Sequence, residues 1–197
     1  MIITIGREHG SGGHEIARAL AEELGYACYD KEIVDHAAES SHFSREVMDS
    51  FDEKRVSPYV IPVPNFVGMG ESFRLNMQVA AAQFDAIRSL AEKGNSIFVG
   101  RCADYVLRNR EDLLRVFIQA EEELRTQEMM QRRSLTEEQA RKLIRQVDKD
   151  RSSYYRYYTD QSWGERAYYD LCINSGKVGV SGAVQIIKAC LQTMENK

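Results

Sequence analysis

Residues Met1–Leu24, MIITIGREHGSGGHEIARALAEEL, constrain this chain more than any other stretch. Ile2-Ile3-Thr4-Ile5 is an apolar run that reads as a buried strand. Gly6 to Gly13 is a loop with four glycines in eight residues. Ile16, Ala17, Leu20, Ala21 and Leu24 then share one helical face, and Gly25 stands where helices usually stop. A strand, a glycine loop and a helix in that order form an anion site. The glycines let backbone N–H groups turn inward, and the helix start adds unpaired donors and a positive dipole end. The plainer alternative is a tight strand–helix turn that binds nothing. Four glycines exceed what such a turn needs.

The loop departs from the P-loop pattern, which ends in Gly-Lys-Ser/Thr before its helix. Here Gly10-Ser11-Gly12 is followed by Gly13-His14-Glu15, so Gly13 stands at the lysine position and no hydroxyl follows. A dinucleotide fingerprint fits less well. Gly10-x-Gly12-x-x-Glu15 lacks the third small residue, and only Asp30 offers an acid after a second strand. Gly10, Ser11, Gly12, Gly13 and His14 are therefore the expected phosphate-binding residues. His9 and His14 flank the turn, where a neutral imidazole donates one hydrogen bond and a protonated one adds charge.

Further strands are expected at Tyr26–Tyr29, Ser96–Val99, Leu114–Ile118 and Leu171–Asn174. Helical segments alternate with them: 31–39, a segment capped by Ser44, Phe73–Lys93, a short one at Val106-Leu107 and Glu121–Arg133. Thr136-Glu137-Glu138-Gln139 is a capping box that opens another, and a last one follows Ser181. Short apolar strands alternating with helices imply parallel pairing with right-handed crossovers. The expected fold is α/β: three layers, with a parallel sheet of about five strands flanked by helices. Residues 55–70 hold all three prolines and read as neither helix nor central strand. They form an irregular segment packed on the core, or else a substrate cover or dimer contact.

The 197 residues suit one domain with a full core. A formal charge of −4 argues against a general nucleic-acid binder. No apolar run is long enough to span a membrane, and because the chain enters a strand at once, no signal peptide is expected. Cys28, Cys102, Cys172 and Cys190 lack metal or redox spacing, and Cys28 and Cys172 read as buried strand thiols. The expectation is a reduced, cytoplasmic protein.

IITIGREHGSGGHEIARALAEELG followed by YDKEIV resembles the opening of the cytidylate-kinase-like family. These are P-loop nucleoside monophosphate kinase relatives whose phosphate loop often reads S-R-E-Y-G-S-G-G. The segments FVGRCADYVL, RVFIQAEEELR, VDKDRSSYYRYYTDQSWG and YDLCINSGKVG resemble later parts of the family, so the similarity runs in order through nearly the whole chain. The resemblance implies a single P-loop kinase-like domain over 1–197, with an acceptor-binding insert at 31–94 and an arginine-bearing lid at 132–160. It also implies transfer of the γ-phosphate of ATP, with Mg²⁺, to a nucleoside monophosphate or similar small acceptor. The alternatives are a kinase for a non-nucleotide acceptor, and an anion or nucleotide sensor that kept the fold without the chemistry. The missing lysine favours the sensor, and the arginines near the expected site favour an enzyme.

Phosphoryl transfer needs positive charge around the moving group more than a covalent participant. Arg7 lies in the loop, Arg101 ends a central strand, and both fall at the strands' C-terminal edge. Arg7 is the first substitute for the missing lysine and His14 the second. Arg132, Arg133, Arg145 and Arg151 lie in the lid region, whereas Arg125 and Arg141 read as solvated helix arginines. By resemblance, Gly100-Arg101-Cys102-Ala103-Asp104 corresponds to the family's Gly-Arg-Asp segment on the acceptor side. Arg101 matches its arginine, but Cys102 and Ala103 separate Asp104 from it, a departure that bears on cytosine recognition. Asp30 matches an aspartate that approaches the acceptor; alternatively it caps the helix starting at Lys31. Arg145 and Asp148, followed by Arg151, match the lid pattern loosely or form an i, i+3 salt-bridged face. His36 and His42 read as structural. Tyr154, Tyr155, Tyr157 and Tyr158 cannot share one helical face; they suit packing between lid and body, with base stacking as the alternative. No metal ligand can be named from the sequence.

Overall fold

The structure is a computed structural model that describes residues 1–54 and 67–195. Strand β1 (Ile2–Arg7) runs through the glycine loop into α1 (Gly13–Leu24), followed by β2 (Ala27–Tyr29), α2 (Lys31–Ser40) and α3 (Arg45–Phe51). Helix α4 (Val67–Ala91) leads to β3 (Ser96–Val99), α5 (Ala103–Val106) and β4 (Leu113–Gln119). Then come α6 (Glu122–Arg133), α7 (Glu137–Thr159), a 3-10 turn at Arg166–Tyr168, β5 (Leu171–Asn174) and α8 (Ser175–Glu195).

All five strands pair in parallel, in the order β2-β3-β1-β4-β5. β1 is central, with Ile5 opposite Val99 on one side and Val116 on the other. Side chains alternate across a sheet, so its run of apolar residues serves two layers. Ile3 and Ile5 pack with Ile16 and Leu20 of α1 and Val184 and Ile187 of α8. Ile2 packs on the other face with Ile33 of α2 and Val79 and Ile87 of α4. The glycine loop therefore leaves the middle of the sheet at its C-terminal edge, where parallel α/β sheets take ligands.

Local chemistry sets several boundaries. The Ser44 hydroxyl accepts from the Val47 amide at 3.4 Å, capping α3. Thr136 and Gln139 form the reciprocal capping box that starts α7, at 2.9 and 3.3 Å. α7 continues through the tyrosine-rich stretch to Thr159 and buries Tyr154 and Tyr155 against Cys102. The Tyr154 hydroxyl donates to Gln83 on α4 at 3.0 Å, and the Tyr155 hydroxyl to Asp104 on α5 at 2.6 Å.

Some expectations need correction. Val67 to Gly70 are helical, so α4 starts before Phe73; the proline-containing remainder, 55–66, lies outside the described residues. α8 starts at Ser175 and breaks at Gly179 (φ 68°, ψ 178°), so the apolar spacing after Ser181 marks only the part beyond the break. Cys172 is exposed and Cys28 half-buried, because β2 and β5 are the sheet's edge strands; Cys102 is the buried thiol. No helix among the described residues is long and apolar enough to cross a membrane.

Candidate active site

The loop turns inward at Gly10 (φ 81°) and Gly12 (φ 77°), both in the left-handed region that glycine enters without steric cost. Gly12 caps α1, and the first-turn amides of that helix have no intrahelical acceptor. They border a cavity of about 150 Å³ lined by Arg7, His9, Gly13, His14, Asp30 and Arg151 among others. The Ser11 hydroxyl points elsewhere, at the carbonyls of Glu8 (2.9 Å) and Ile118 (3.2 Å), and stiffens the turn. A Cβ on Gly13 would stand 2.6 Å from Arg7 Cβ and 3.0 Å from Arg7 Cγ. The Arg7 stem thus fills the space where a side chain at position 13 would begin.

Two linked ion-pair groups lie beside this cavity. Arg101 is only 3 % exposed. It donates to both oxygens of Asp52 (2.8 and 2.6 Å), to Asp30 (2.8 Å) and to the Val99 carbonyl (3.1 Å). Asp30 also meets His14 Nδ1 at 2.9 Å. Burial would raise Asp30, but the Arg101 and Arg7 guanidiniums hold its carboxyl below the usual range. Glu53 forms the second group. Its Oε1 accepts from Arg7 Nη1 (2.6 Å) and the Arg101 amide (3.0 Å), and its Oε2 accepts from Arg151 Nε (3.0 Å). Burial opposes its charge, yet Arg7 and Arg151 keep Glu53 well below the ordinary carboxylate range.

α6 and α7 clasp the loop from the other side. Asp148 accepts from the His9 amide (2.7 Å) and from Arg125 Nη1 (2.6 Å), and Arg125 reaches the His9 carbonyl at 3.2 Å. Burial, then the nearby Arg151, Arg133, Arg7 and Arg125, lowers the His9 imidazole to about 4. Glu8 is raised by burial despite the bond it accepts from the Ala120 amide at 3.0 Å. Beyond the loop lies a second cavity of about 380 Å³, lined by Gly10, Ser11 and Gly12, by Gln127 and Gln131 of α6, and by Ser175, Gly179 and Val180 of α8. The Ser175 hydroxyl is aimed at the Ser11 (2.6 Å) and Gln119 (3.0 Å) carbonyls and ties α8 to the loop.

The structure brings together Arg7, Gly10, Gly12, Gly13, His14, Asp30, Arg101 and Arg151. Asp104 sits one step back, buried under Tyr155. Arg133 is exposed, and its charge reaches His9. Arg145 turns outward to Glu122 at 2.9 Å and Asp148 pairs with Arg125 and the His9 amide, so the expected lid arginine does not reach the loop and the i, i+3 Arg145–Asp148 face does not form. Asp30 flanks α2, but its side chain makes no cap bond there, which removes the capping alternative. Arg125 is buried rather than solvated, because α6 packs its first turn onto the loop. Arg141 stays at the surface with Glu122 and Glu137. Sequence reasoning missed Asp52, Glu53, Arg125 and Ser175. The acids end a short amphipathic helix and carry no local signal that separates them from solvated ones.

The profile of the cytidylate kinase-like family matches residues 2–177. A protein of Methanothrix thermoacetophila named cytidylate kinase is 25 % identical over 197 residues, covering 99 % of this chain and 100 % of the relative. The crystal structure of an uncharacterized protein from Eubacterium ventriosum is 30 % identical, with a TM-score of 0.75 and 98 % of each chain covered. A shikimate kinase structure from Bacteroides thetaiotaomicron shares the fold at 12 % identity, with a TM-score of 0.58 and 98 % of each chain covered.

Proposed function

The chain belongs to the cytidylate kinase-like family, and from that premise we propose that it moves the γ-phosphate of ATP to a nucleoside monophosphate or similar small acceptor. One observation carries the reading. The first-turn amides of α1, Arg7 and Arg151 converge on one cavity at the end of the central strand. Phosphoryl transfer is accelerated chiefly by positioning and by fixed positive charge, and such a cavity supplies both.

In this reading the loop Gly10–His14 holds the donor phosphates, and the larger cavity beside Ser175 and Val180 takes the donor nucleoside. Arg7 supplies the charge a lysine would otherwise carry, since its stem already occupies the space over Gly13. Arg151 supplies a second charge from α7, within the lid region 132–160, and Arg133 adds to the local field. Arg145 acts only if that region moves. Asp30, Arg101 and Asp104 belong to the acceptor side, next to the 31–94 insert. There Arg101 orients Asp30 and Asp52 instead of gripping the ligand itself. Mg²⁺ would come with the ATP phosphates: among the described residues no cluster of acids or histidines is placed to hold a metal, and Glu8, Glu15 and Asp30, which line the loop cavity, already pair with Arg125, Arg132 and Arg101. It would supply further charge compensation at the phosphates. The cytoplasm is the compartment that supplies ATP and nucleoside monophosphates and suits free thiols.

A second reading, a sensor without turnover, is favoured by Gly13 and His14 at the positions of the lysine and hydroxyl. One panel separates the two: purified protein, ATP·Mg, and each nucleoside monophosphate in turn, followed for ADP and diphosphate product. ADP formation that depends on one acceptor is the expected result. ATP binding with no turnover of any acceptor, nucleotide or otherwise, favours the sensor.

A further inference from the structure

Glu53 lies on the turn after α3, remote in sequence from every group its carboxylate touches. Two guanidiniums and one backbone amide converge on its oxygens. That is the donor set protein sites offer to phosphoryl oxygens, with charge-assisted bonds from opposite sides. Space is reserved for it: a Cβ on Gly100 would collide with Glu53 Oε1 and with Arg7 Nη1. The backbone of Glu53 has φ 48°, in the left-handed region that a glutamate seldom adopts. Local preference does not hold it there; the contacts of its carboxylate do. Arg7 and Arg151 also line the loop cavity, so the same two side chains border both Glu53 and the space for a ligand. Neither Glu53 nor Asp52 lines that cavity itself; Glu53 is joined to it through Arg7 and Arg151, whereas Asp52 grips Arg101 through two bonds.

We propose that Glu53 is an internal stand-in for a phosphoryl group: its carboxylate occupies an oxyanion position between Arg7 and Arg151, and a phosphoryl-bearing ligand displaces it to engage both arginines. This rests on the phosphate-binding reading above and adds the position of the phosphoryl group and its intramolecular competitor. Without a ligand, Glu53 compensates two buried cations that would otherwise repel each other. A phosphoryl group brings more charge and a third oxygen, so the exchange favours the ligand while the empty site stays closed to weaker anions.

The test uses the full chain and three probes: inorganic phosphate, ATP·Mg and cytidine monophosphate. Titration calorimetry compares wild type with Glu53→Gln. Removing the competing charge should tighten at least one probe by about tenfold or more. Tightening of ATP alone assigns the position to the donor phosphate, and tightening of the monophosphate alone assigns it to the acceptor. Unchanged or weaker binding of all three by a folded variant overturns the proposal and makes Glu53 a structural clasp. If Glu53→Gln does not fold, wild-type protein labelled at the glutamate side-chain carboxyl carbon decides. The Glu53 resonance should shift on saturation with the tightest probe, and a fixed resonance overturns the proposal. Turnover is scored separately. Tighter binding without turnover keeps the stand-in and sinks the kinase reading, whereas turnover with unchanged Glu53→Gln affinity does the reverse.

Discussion

Replacing Gly13 by alanine tests whether the Arg7 stem has taken over the volume of residue 13. The added Cβ would stand 2.6 Å from Arg7 Cβ and 3.0 Å from Cγ. Carbon atoms rest at about 3.5–4.0 Å, so the overlap is about 1 Å. Arg7 cannot easily retreat, because its strand position is paired with Ile118 and its guanidinium is bound to Glu53. Overpacking of this kind costs about 1–3 kcal/mol. Gly13 is outside the set of positive-φ glycines, so the backbone itself accepts alanine. In an Arg7→Gly background the same substitution should stabilise by about 0.4–1 kcal/mol, through the lost freedom of the unfolded chain. The four proteins of this double-mutant cycle are compared by urea unfolding. The cost of Arg7→Gly itself cancels, and the coupling should equal the overlap, about 1–3 kcal/mol. In thermal scans the wild-type background should show up to about 10 °C of loss. A coupling below about 0.5 kcal/mol refutes the idea that position 7 fills the space of position 13.

Two further outcomes follow from the buried network. Burial and the surrounding arginines lower His9 to about 4 in the folded chain, so between about pH 6.5 and 4 the unfolded chain binds more protons and stability falls as pH drops. His9→Gln should flatten that part of the pH–stability curve, and an imidazole titration midpoint near 6.5 in the folded protein would refute the assignment. Arg101→Ala leaves Asp30 and Asp52 without their main partner and should cost about 3–5 kcal/mol in unfolding experiments. Arg101→Lys should recover little, because a lysine lacks the two-pronged grip on Asp52, and a melting temperature near wild type for either variant counts against this role.

Short-range sequence patterns set the scaffold. Ile2–Ile5, Ser96–Val99 and Leu171–Asn174 are short apolar runs bounded by glycine or polar residues, and the structure has strands over each of them. The glycines of the loop were equally legible, because a left-handed backbone at Gly10 and Gly12 is a local requirement that residue type announces. The capping box at Thr136 is local in the same sense. Which charges meet is a matter of how the elements pack. Glu53 reaches Arg7 across 46 positions and Arg151 across 98, and Asp148 reaches the His9 amide across 139. Arg125 has the sequence context of a solvated helix arginine, yet it is buried because α6 lies against the loop. Strands, turns and caps follow from short-range sterics and hydrogen bonds, which a window of residues contains. An ion pair's strength depends on distance and burial, and both are set by how the helices pack on the sheet.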